Sequence, residues 1–154
     1  MSRHEHGREG MNWLGLLSFG FFLALLGTIW AAHPNFTEKV INFFRDFHLE
    51  SVSGNVVFPA PRNLYSHIEV YTAAIQFCYA FGLFNIAILV LRFLLRDSPG
   101  RKAETFSGVV FWFAVGYFLN MLASGSLTWF SFLGGLIVSV GLSIVTSSVF
   151  RLFT

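Results

Sequence analysis

"TFSGVVFWFAVGYFLNMLASGSLTWFSFLGGLIVSVGLSIVTSSVF", residues 105–150, runs for 46 residues without a charged side chain. Roughly 20 residues of helix cross a bilayer core, so the stretch is too long for one crossing and long enough for two. The turn belongs at "ASGSLT", 123–128, the only turn-rich composition near the middle. The stretch therefore reads as a tight helical hairpin, with transmembrane helices over 104–123 and 127–150.

Toward the N-terminus, a second uncharged run extends from Val70 to Leu91, bounded by Glu69 and Arg92, and predicts a span over 68–95. A third occupies 11–32, "MNWLGLLSFGFFLALLGTIWAA". Its apolar core exceeds the about 7–15 residues of a signal peptide, and bulky Ile29 and Trp30 stand where a cleavage site needs small residues. It is expected to stay as an anchor, with 1–10 as a cytoplasmic tail. Between spans two and three, "RDSPGRK" at 96–102 holds Ser, Pro and Gly, predicting a loop over 96–103.

Composition agrees. The chain is 55% hydrophobic and 12% charged, against about 45–50% and about 25% for soluble domains. Twenty Phe and four Trp suit helices that meet lipid and its interfaces. A net charge of +2 is too small to argue for nucleic acid. The one cysteine, Cys78, excludes an internal disulfide and lies in an apolar run as a small hydrophobe.

Orientation follows from the basic residues, which favour the cytoplasmic side. With the N-terminus inside, Arg3, Arg8, Arg92, Arg96, Arg101, Lys102 and Arg151 are cytoplasmic and only Lys39, Arg45 and Arg62 are outside. Both termini are expected in the cytoplasm, and the membrane is expected to be the plasma membrane.

The connection over 33–67 is then extracytoplasmic. Within "NFTEKVINFFRDFHLES", 35–51, Phe36, Val40, Phe43, Phe44 and Phe47 recur at i, i+4, i+7, i+8 and i+11, the stripe of an amphipathic helix. Asn35 with Glu38 three residues on has capping-box spacing. "GNVVFPAPRN", 54–63, carries β-favouring residues and two prolines, predicting an extended strap back to span two. The fold class is an all-α integral membrane protein: four transmembrane helices in a bundle, with an extracytoplasmic amphipathic helix and strap between spans one and two.

Chemistry is sparse inside the spans. No ionisable residue lies deep in any of them, which argues against a proton relay, a voltage sensor or an intramembrane haem. His4, His6 and Glu9 fall in the tail and read as solvated rather than metal-binding. Glu69 and Glu104 read as first-turn acids of their helices. No catalytic site, cofactor or metal is expected.

Asn85 and Asn120 are expected to hydrogen-bond between helices. Gly135, Ser139, Ser143 and Ser147 recur every four residues along one face of span four, and such small residues let a neighbouring backbone approach. Gly108 and Gly116 echo them in span three, and Gly20, Ala24, Gly27 and Ala31 in span one.

The leading expectation is a non-enzymatic scaffold or subunit of a membrane assembly, partnered by the lipid bilayer and by a copy of itself or another membrane protein, with no nucleic acid. Two others stay open. One is a homo-oligomeric channel or small-solute pathway lined by the Ser stripe. The other is a lipid-modifying enzyme built from outer-side His33, His48, His67, Asp46 and Glu50.

Overall fold

The computed structural model describes residues 6–54 and 56–152. Residues 1–5, and with them the first part of the 1–10 tail including His4, lie outside this range. Eight elements follow one another: α1 (His6–Ala32), α2 (Phe36–Arg45), β1 (Phe47–Ser53), β2 (Val56–Pro61), a 3-10 turn (Leu64–His67), α3 (Ile68–Leu94), α4 (Pro99–Ala123) and α5 (Trp129–Leu152).

Four of the helices, α1, α3, α4 and α5, are long and apolar enough to cross a membrane, and the protein is a small four-helix transmembrane bundle. The uncharged run of 105–150 does fold back on itself at Ser124–Thr128, where Gly125 adopts φ +76°. That left-handed conformation suits glycine.

Two boundaries differ from those expected. Helix α1 begins at His6, ahead of Met11, so His6 and Glu9 stand in a helix rather than in an irregular tail. Helix α4 begins at Pro99, not at 104. Proline lacks the amide that a first-turn residue would leave unbonded anyway, so Pro99 opens this helix instead of breaking it. Glu104 is consequently beyond the first turn, and its carboxylate meets Arg151 at 3.2 Å. The α3–α4 connection is reduced to a few residues, in which Asp97 accepts from Arg92 at 3.1 Å and Arg101 at 2.9 Å.

Helix α4 is the central element, packed on α3 along one side and α5 along another. Tyr71, Cys78, Val115, Leu119, Leu122 and Phe132 form the buried core between these three helices. Small residues set the closest approaches. A methyl group on Gly116 would lie 3.2 Å from Cys78 Cβ of α3, and one on Gly135 would lie 2.6 Å from the Phe118 ring of α4.

Helix α1 joins differently, through rings. Phe21 stacks on Phe84 with centroids 4.0 Å apart, and Phe22 meets Phe77 edge-on at 5.5 Å. A methyl group on Gly20 or Gly27 would meet nothing within 4 Å. The expected packing stripe of α1 therefore has no close neighbour among the described residues, and Gly20, Ala24, Gly27 and Ala31 are all exposed.

The segment between α1 and α3 departs most from expectation. Asn35 does not cap α2 with its side chain; it takes a left-handed backbone, φ 56° and ψ 30°. The helix then stops at Arg45, and Phe47 belongs to β1 instead. The expected strap is the second strand of an antiparallel hairpin, with Phe47 opposite Pro61 and Ser51 opposite Val57. Prolines are tolerated here because a two-stranded ribbon has only edges. The outward carbonyl of Pro59 accepts from Trp129 Nε1 of α5 at 3.0 Å.

Candidate functional site

Part of the polar chemistry of the molecule gathers at the end carrying α2, the hairpin and the α4–α5 turn, the cap, while the Asp97 and Glu104 ion pairs lie at the other. The hub of the cap is Asp46, at the junction of α2 and β1. The Asp46 amide donates to Asn42 and Phe43 and so closes α2, while its carbonyl accepts from Arg62 at 3.2 Å. Oδ2 accepts from the Asn63 amide at 2.9 Å and meets His67 Nε2 at 3.0 Å. The Asn63 amide, the His67 imidazole and the charge of Arg62 hold this carboxyl below its ordinary value of 3.8, against a smaller opposing effect of burial.

One residue thus ties the end of α2, the exit from β2 and the entrance to α3. Beneath it, Phe43 sets its ring edge-on to Phe47, His67 and Tyr71, at 5.0, 5.4 and 5.8 Å. Phe47 in turn meets Trp129 at 5.5 Å. Such edge-to-face pairs are each worth about 0.5–1.5 kcal/mol beyond area burial. Phe36, Val40 and Phe43 are half-buried, whereas Phe44, on the same predicted stripe, is 68% exposed. Leu49 on β1 and Tyr65 are also exposed, so the cap carries apolar side chains that nothing in the chain covers among the described residues.

The outer residues considered for catalysis do not converge as a set. His67 and Asp46 pair, but His33 Nε2 meets Gln76 Oε1 at 3.2 Å, and Glu50 borders a separate opening with Tyr65 and Trp129. Glu69 pairs with Lys39. Ser66 Oγ donates to the Asn63 carbonyl at 2.7 Å, which leaves it directed away from a base. His48 Nδ1 and Tyr71 Oη are buried without a hydrogen-bond partner among the described residues. No group of three His, Cys, Asp or Glu side chains comes together among those residues as a metal site would need.

The other predicted residues lie along the bundle. Ser139 is fully buried, and its hydroxyl donates to the Gly135 carbonyl at 2.8 Å. Ser143 and Ser147 are half-buried, Ser143 donating to Val140 at 2.8 Å. Asn85 Nδ2 donates to Phe81 of its own helix at 2.8 Å, with Oδ1 toward Gly108 of α4. Asn120 is exposed near the cap, its carbonyl accepting from the Ser124 amide at 2.9 Å.

Reasoning from sequence names Asp46 and His67 among five outer residues but misses their pairing and the role of Asp46 as a hub. The signal that could have found it is the short distance in sequence between Asp46, the chain-reversing "PAPRN" and His67, which a hairpin brings together.

No family model, curated protein or solved structure matches this chain.

Proposed function

We propose that this small four-span protein is a non-enzymatic subunit or scaffold of a membrane assembly, and that the cap is its contact surface. The cap is extracytoplasmic and both termini are cytoplasmic, an orientation supported by the basic residues that gather at the opposite end. The observation that carries the reading is the way the cap is built. A half-buried polar hub and an aromatic cluster fix a hairpin whose Leu49 and Phe58 stay exposed, together with Phe44 of α2 and Tyr65. Exposed apolar side chains held by a rigid scaffold are the usual anatomy of an interaction surface. The partner is a second membrane protein with an apolar extracytoplasmic segment.

The Ser stripe supports this more than it supports a conduit. Its Gly135 and Ser139 are consumed at the α4–α5 contact, where they let the Phe118 ring approach. A photoreactive amino acid at Leu49, activated in intact cells, should give a discrete heteromeric adduct that Asp46→Ala abolishes. An adduct only to copies of the same chain, together with ion conductance in planar bilayers, would favour the channel reading instead.

A further inference from the structure

The contact between α1 and α3 is propped open by phenylalanine rings, and three openings follow one another along it, adjoining ones sharing a lining residue. An opening of about 440 Å³ is bordered by Ser18, Phe19, Phe22 and Phe81. At Phe22 it meets a second, about 400 Å³, which passes Leu26 to Ile29 on α1 and Ala74 on α3 and is lined by apolar side chains throughout. That one ends at Val70. Val70 also borders a third opening of about 260 Å³, whose other walls are Lys39, Asn42, Ser66, His67 and Glu69.

The sequence of environments is a hydrocarbon slot that ends in a charged pocket at the cap. From Ser18 to Ile29 is eleven residues of helix, or about 16 Å at 1.5 Å per residue. One leaflet of the bilayer core is about 15 Å thick. The slot therefore has the length of one acyl chain, and it lies within the span Leu14–Ala32, where hydrocarbon surrounds it. Left empty, its ring-lined walls would forfeit dispersion contacts that a chain can supply. The pocket above offers one cation and one anion, Lys39 and Glu69, which pair with each other across it. A phosphate beside Lys39 and an ammonium beside Glu69 would replace that pair with two pairs of the same kind.

We propose that the α1–α3 groove binds one zwitterionic aminophospholipid of the cap-side leaflet, its acyl chain along Phe22 and Leu26 and its headgroup between Lys39 and Glu69. The site is independent of the partner reading, since Phe44, Leu49, Phe58 and Tyr65 do not line it. The test uses the full chain in nanodiscs containing phosphatidylethanolamine with a photoreactive acyl chain. Labelling should concentrate on Phe22, Leu26 and Phe77, about tenfold above exposed Ile137 and Ile144 of α5, which any surrounding lipid can touch. Equal labelling of the two regions overturns the site.

Ala74→Trp should fill the slot and remove that excess while α5 labelling stays constant, and a Cys78 that stays shielded from a thiol reagent until heated reports that the variant is folded. Should it fail to fold, Leu26→Trp at the half-exposed slot wall serves the same purpose; an undiminished excess in the folded variant overturns the proposal. Unlabelled phosphatidylethanolamine should compete, and diacylglycerol, which lacks the headgroup, should not. Equal competition by diacylglycerol overturns the headgroup assignment. In Glu69→Gln the preference for phosphatidylethanolamine over phosphatidylglycerol should vanish, and its persistence would count equally against it.

Discussion

Asp46 concentrates in one side chain the connections that would otherwise need a packed interface. Asp46→Ala removes the acceptor of both the Asn63 amide and His67, so amide exchange over 42–45 and 62–67 should accelerate together. Asp46→Asn keeps an acceptor for Asn63 but loses the charge, and should fall between. A linked pH effect follows. The carboxyl titrates lower in the fold than in an unfolded chain, so its contribution is complete above about pH 4 and is lost as pH falls through the depressed value. Cap exchange should therefore be flat from neutral pH down to that region and rise below it, and in Asp46→Asn this acid-induced rise should be absent. Next to this hub, Phe43→Asp should cost about 1.5–3 kcal/mol because its ring meets five aromatic neighbours, whereas Phe44→Asp should cost little. Thermal unfolding can be followed with a fluorogenic thiol reagent, since Cys78 is buried and becomes reactive only on unfolding.

At the scale of elements, the small-residue stripe of α5 is two things in one helix. Gly135→Leu should force the Phe118 ring away and lower stability by about 1–3 kcal/mol, as overpacking does. Ser143→Leu, two turns later and half-buried, should be much milder, and the same thiol-reactive melt distinguishes the two. The long uncharged runs made the four spans legible, because length and absence of charge are properties of sequence alone. The ends of the elements were not. Pro99 looks the same whether it breaks a helix or opens one, and only the geometry of Ser98, φ −62° and ψ 145°, decides. Phe47 has the spacing of a helical stripe, yet its place in β1 comes from pairing with Pro61, a partner that periodicity cannot see. Asp46 and His67 were both candidates, but their pairing was hidden for the same reason: Asn63 and His67 come near Asp46 only once that hairpin has formed.

At the scale of the whole molecule, the hairpin, α2 and the α4–α5 turn share one end, and the Asp97 and Glu104 ion pairs share the other. With the cap outside, a cysteine replacing Ser51 should react with an impermeant thiol reagent on intact cells and one replacing Ser98 should not; both positions are exposed and native Cys78 is buried. Reaction at Ser98 and not at Ser51 would invert the protein in the membrane. The attachment of α1 through standing phenylalanine rings has a consequence for how the protein is made. Apart from Phe36 of α2, which meets Trp30, the rings that hold α1 are Phe77, Phe81 and Phe84 of α3. During synthesis most of α1 must wait for these partners until the cap segment between α2 and α3 and most of α3 have left the ribosome. Of the four helices α1 waits longest for its main neighbour, and its many apolar residues are what let it tolerate the delay.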